Sequence, residues 1–98
     1  MNPMEKYLPI GSVVMLKGGN KRVMIVGFCA ITEEEKEKVW DYSGCLYPEG
    51  VIKSNQMCLF NHDQIEKIYH LGLIDIDEIS FKKRLNEELD KQKEKSND

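Results

Sequence analysis

The chain has 98 residues, 41% of them hydrophobic and 32% charged, with 14 Lys and Arg against 17 Asp and Glu for a formal net charge of -3. This length fits one domain with a modest core. The composition is a globular balance and argues against a generic polyanion binder, whose affinity rests on many basic contacts to phosphate. No apolar run approaches the ~20 residues of a membrane-spanning helix. The first residues show no basic region followed by an apolar run, so the cytoplasm is the expected compartment.

Residues 1–9 read as an N-terminal lead-in, with Pro3 and Pro9 discouraging regular structure and Tyr7 and Leu8 able to tack it onto the body. A β-barrel-like domain is expected over 10–73. In its first strand, 12–17, Val13 and Met15 alternate with Val14 and Leu16, so both faces are apolar. Gly18-Gly19-Asn20 tolerates positive φ and signals a hairpin. The return strand, 22–28, is rich in β-branched residues, and Gly27 marks a bulge or bend.

The charged run 33–38 has no apolar face and predicts a solvated loop or a short exposed turn. A third strand, 39–47, places Trp40, Tyr42, Gly44 and Leu46 on one side and Val39, Asp41, Ser43, Cys45 and Tyr47 on the other. Pro48-Glu49-Gly50 then turns the chain. Residues 51–53 and 57–60 read as one strand interrupted by Ser54-Asn55-Gln56.

For 61–71 two readings compete: a capped helix of about three turns opened by Asn61 and Gln64, or one helical turn followed by a strand over 66–71. The second is favoured because a five-stranded coiled sheet can close on itself, whereas four strands leave a long edge. Asp75 as N-cap with Glu78 predicts a helix over 75–92, with Ile74 able to staple to Ile79 and a narrow stripe of Phe81, Leu85 and Leu89. Residues 93–98 are expected to fray. The fold class is therefore mainly β (α+β): a five-stranded coiled antiparallel sheet or SH3-like barrel followed by a C-terminal amphipathic helix.

The chemistry-bearing residues are sparse. Cys29, Cys45 and Cys58 lack a C-x-x-C pair and read as small buried hydrophobes. Gly18-Gly19-Asn20-Lys21 is followed by no helix and lacks the G-K-[ST] triplet, so it reads as a hairpin turn and not a phosphate loop. His62, Asp63 and His70 carry no signature of a Cys-His pair with Cys45 or Cys58, nor of a metal site, and His62-Asp63 reads as the closure of the turn after Phe60. No catalytic residue, metal or cofactor is expected. Lys17, Lys21 and Arg22 beside an aromatic strand leave a small RNA-binding barrel as the minority reading. Trp40, Tyr42 and Tyr47 read first as packing and second as interface anchors, joined by Pro48 and Glu49 in the turn. The stripe of Ile79, Phe81, Leu85 and Leu89 is divided evenly between self-packing and a partner helix.

The series Leu8-Pro9-Ile10-Gly11-Ser12-Val13-Val14, Leu16-Lys17-Gly18-Gly19, Met24-Ile25-Val26-Gly27, Asp41-Tyr42-Ser43-Gly44-Cys45, Tyr47-Pro48-Glu49-Gly50 and Phe60-Asn61-His62-Asp63-Gln64-Ile65 resembles domain-of-unknown-function family 4176 over roughly residues 7–72. The helical tail lies outside that pattern. The resemblance implies a small cytoplasmic protein of Gram-positive bacteria encoded beside LXG toxin genes of type VII secretion systems. It further implies a non-enzymatic adaptor or chaperone that binds a toxin or its helical targeting partner, with no catalytic residue carried over. The expected partner is thus a protein, not nucleic acid or membrane, with self-association through an edge strand or the helix left open.

Overall fold

A computed structural model describes residues 6–34, 36–53 and 57–96, with side chains to residue 91. Five strands form one antiparallel sheet in the order β4-β3-β2-β1-β5. They are β1 (Val13–Leu16), β2 (Val23–Ala30), β3 (Trp40–Leu46), β4 (Cys58–Phe60) and β5 (Ile65–His70), followed by the helix α1 (Ile76–Ser96). The sheet is open: β4 and β5 are its two edges, and closure into a barrel does not occur. Strand β4 is too short to close it, pairing only through Tyr42–Phe60, Ser43–Leu59 and Gly44–Cys58.

The hairpin of β1 and β2 forms where the glycines predict it, with Val13 opposite Met24, Val14 opposite Val23, and Gly18 at φ 76. Register between β2 and β3 slips between Ile25 and Gly27, which is the bulge expected at Gly27. Turn-then-strand holds for 61–71: a single 3-10 turn, His62–Gln64, feeds β5 directly. Residues 51–53 are a correction, since they form no strand and lie exposed. The bridge from Leu46 to Gly50 closes the Pro48 turn before they begin, and only Cys58–Phe60 remain to pair. The expected interruption at 54–56, residues 1–5 of the lead-in, and residues 97 and 98 of the tail lie outside the described residues.

The core consists of Tyr7, Leu8, Val14, Val23, Ile25, Tyr42, Phe60 and Ile65, all on one face of the sheet. Full burial of side chains such as Ile25, Val14 and Phe60 contributes about 1.5–3 kcal/mol each. The lead-in is therefore more than a tether, for Tyr7, Leu8 and Pro9 sit inside the core. What draws them there is the Tyr42 hydroxyl. Its oxygen accepts the backbone N–H groups of Tyr7 at 2.9 Å and Leu8 at 3.1 Å, and lies 2.8 Å from His62 Nδ1. With both lone pairs occupied, the phenolic proton goes to Nδ1, which fixes the ring tautomer of His62.

Around this point, Asp41 Oδ2 accepts the His62 N–H at 2.8 Å and Asn61 Oδ1 accepts the Asp41 N–H at 3.1 Å. Gln64 Oε1 accepts the Asn61 N–H at 2.8 Å, so the turn is closed from both sides. At the opposite end of the sheet, Ser12 is fully buried and its Oγ accepts the Gly72 N–H at 3.0 Å. A Cβ at Gly72 would collide with the Ile10 carbonyl oxygen, so only glycine permits this approach.

Helix α1 begins as predicted, with the Glu78 N–H donating to Asp75 Oδ1 at 2.9 Å. It runs to Ser96, past the expected end at residue 92. Its half-buried line is Glu78, Lys82, Leu85 and Leu89. Leu85 and Leu89 pack on the core, and a Lys82–Glu78 ion pair of 2.8 Å continues the line toward the N-terminus. At about 3.6 residues per turn, Ile79 and Phe81 fall on opposite borders of that line. Phe81 flanks the sheet, 6.0 Å from the Phe28 ring, while Ile79 and Ile74 both remain exposed.

Removing the central hydroxyl tests this account. Tyr42→Phe leaves two buried N–H donors unanswered and should destabilise the fold by about 2–4 kcal/mol in urea unfolding, more than an exposed Tyr47→Phe control. The tyrosines also set an alkaline limit. Burial holds the Tyr7 and Tyr42 phenols above their ordinary pKa of 10.0; nearby Cys29 and Asp41 add to this in Tyr7, and the Leu8 and Tyr7 N–H groups partly offset it in Tyr42. The folded chain thus keeps protons that the unfolded chain loses, so stability is level up to about pH 10 and falls above it. Urea midpoints across that range should fall less steeply for Tyr7→Phe than for the parent chain.

Candidate functional site

With α1 and the core on one face of the sheet, the other face is where surface groups gather. Alternation puts Val13 and Met24 there, opposite each other in register, with Cys45 opposite Met24 and His70 opposite Val13. Arg22 precedes β2 and Tyr47 follows β3, and the Arg22 carbonyl accepts the Tyr47 N–H at 2.9 Å. Tyr69 comes from β5 on the far side of β1. The Arg22 guanidinium carbon lies 4.9 Å from the Tyr47 ring centroid and 5.6 Å from that of Tyr69. These groups line an open concavity of about 570 Å³ together with Gly11, Val13, Met24 and His70. Lys67 adds a second cation, its Nζ 4.8 Å from the Tyr69 centroid.

The residues predicted to meet a partner divide into four groups. Tyr42 is fully buried and Leu85 and Leu89 pack on the core, so these three support the fold and offer no contact surface. Tyr47 lines the concavity, and Pro48 and Glu49 are exposed in the turn after it, with Glu49 Oε2 held 2.7 Å from Lys21 Nζ. Trp40 stands apart at the far end of β3, its ring covered by Lys38 Nζ at 3.9 Å. Ile79 and Phe81 are 58% and 46% exposed, and Leu73 and Ile76 reach 75% and 81%. Tyr69, Val13 and Met24 were missed as site residues. Their alternation within each strand is visible in the sequence, but nothing in it places β1 between β2 and β5, and that placement alone brings Tyr69 to Arg22.

The remaining polar groups are absorbed locally. His62 meets Tyr42 through Nδ1, and Cys45 is buried, with Cys29 and Cys58 half-buried. Among the described residues no three His, Cys, Asp or Glu side chains converge as a metal site. No helix among them is long and apolar enough to cross a membrane.

The family model for a domain of unknown function (DUF4176) matches residues 7–81. The chain belongs to that family. The matched DUF4176 segment takes in the sheet, the Tyr42 centre and the first turn of α1, so the cleft lies wholly within it. No curated protein and no solved structure matches the chain.

One titration follows from the site. The Lys21 ammonium, hydrogen-bonded to Glu49, lowers that carboxyl below its ordinary value of 4.5. In carboxyl-detected NMR, Lys21→Met should return the Glu49 midpoint upward toward 4.5, and added salt should do so in part.

Proposed function

We propose that this DUF4176 protein is a non-enzymatic interaction module: a cytoplasmic adaptor or chaperone of a type VII secretion system that binds an LXG toxin or its helical targeting partner. The observation that carries the reading is the apolar surface left uncovered around the start of α1. Leu73, Ile76 and Ile79 are more than half exposed in a molecule whose core already claims Leu85 and Leu89. Apolar side chains gathered on one surface mark protein contacts. Ile76 and Ile79, three residues apart, share one helix face and suit an amphipathic partner helix. The secretion context is inherited from the family resemblance and not from this geometry.

The small RNA-binding barrel has one observation in its favour, the Arg22 guanidinium between two tyrosines. Against it, Lys21 is spent on Glu49, and Arg22 with Lys67 over Tyr69 does not make a phosphate track.

Affinity capture of the tagged protein from its native host, read by mass spectrometry, tests the module. An LXG toxin or small helical secretion partner should co-purify, and the yield should fall at least several-fold for Ile76→Asp with Ile79→Asp. Leu85→Asp is not a usable variant for this purpose, because it places a charge against the core. Recovery of only RNA and ribosomal proteins would refute the module.

A further inference from the structure

The Arg22 cleft is separate from the apolar surface of α1, and it carries the elements of a second contact. Two tyrosine faces flank the guanidinium, and no carboxylate among the described residues pairs with it. Of the nearby lysines, Lys21 is held by Glu49 and Lys67 lies over Tyr69. A guanidinium stacked on aromatic rings keeps its in-plane N–H donors available, pre-oriented for the two oxygens of a carboxylate. Beside it lie Val13, which is buried, and Met24, which is half-buried; both are apolar and belong to the centre of the sheet. Strand β5, which contributes Tyr69, is an edge whose outer side pairs with no other strand among the described residues.

Resting on the reading of this chain as an interaction module, the geometry points to the Arg22–Tyr47–Tyr69 cleft as a docking site for an extended acidic peptide segment. An Asp or Glu carboxylate takes the Arg22 guanidinium, and a neighbouring apolar side chain covers the half-buried Met24. Charge decides the class of ligand. A peptide carboxylate needs one bidentate cation and an apolar neighbour, both of which are present. A nucleic acid needs a series of cations along its backbone, whereas Arg22 is the one Lys or Arg among the described residues that line the cleft. Tyrosine and arginine are also the residues that most often anchor protein contacts.

The test is selection of a phage-displayed library of random ten-residue peptides on the immobilised full chain, followed by binding measurements on the enriched sequences as labelled synthetic peptides. Enriched peptides should carry an Asp or Glu within two residues of an apolar side chain. Their affinity should fall at least ten-fold for Arg22→Met and for replacement of the peptide acid by its amide. Arg22→Lys, which keeps the charge and loses the planar fork, should not restore it. Amide shifts of Gly11, Met24 and Tyr69 should move on binding in NMR titration. Arg22 is exposed, so its variants should keep the parent unfolding midpoint, which separates lost binding from lost fold.

Enrichment without an acidic residue, affinity indifferent to Arg22→Met, or no enrichment at all would each overturn the assignment. So would tighter binding of a ten-nucleotide oligouridine than of any selected peptide. Capture from the host separates the two levels: partners recovered equally by the parent chain and by Arg22→Met leave the module standing while this site falls.

Discussion

One buried hydroxyl organises this molecule. Tyr42 lies in a central part of the sheet with no exposure, and an unanswered phenol there would cost folding free energy. It is answered three times over, by two N–H groups of the N-terminal segment and by the His62 ring. The consequence is that two stretches of chain far apart in sequence are held against the same strand. The Tyr42 ring then stacks on Phe60 at 5.2 Å and meets Tyr7 and Phe28 at 6.1 and 6.0 Å, so the polar centre sits at the edge of an aromatic layer. Polar bonds set the geometry, and apolar burial supplies most of the stability.

That arrangement explains why the two faces of the sheet differ. The lead-in and α1 both pack on the core side, and the cleft lies on the opposite face. On that face Val13 is buried and Met24 half-buried, beside the residues that rim the cleft. Arg22, Tyr47 and Tyr69 form that rim, and their cation–π contacts hold a charge over a partly apolar floor. The helix divides in the same way: one line of side chains is committed to the core, while Ile76 and Ile79 on the other side are uncommitted. Two separate surfaces result, one apolar and helical, the other aromatic and cationic.

Legibility in the sequence tracked the range of each interaction. The hairpin at Gly18, the bulge at Gly27, the turn at Pro48 and the Asp75 cap all depend on residues within a few positions of one another, and all form where expected. The strand expected at 51–53 fails although its local composition suits a strand, because pairing requires a neighbour and the end of β3 at Leu46 is already bridged to Gly50. Tyr42 read first as packing and second as an interface anchor, since amphipathic side chains serve both and only burial distinguishes them.

By itself, the sequence determined a small, mainly β domain with a C-terminal helix, the places where the chain turns, and membership of a family signalled by short motifs in fixed order. Tertiary structure alone decided that the sheet stays open, that the lead-in belongs to the core, and that Arg22 meets Tyr69. Each of these rests on the strand order β4-β3-β2-β1-β5 and on contacts spanning dozens of residues, such as the 35 that separate Tyr7 from Tyr42. Local propensity carries no information about such pairings, because the loop-closure entropy they cost is offset only by the assembled core.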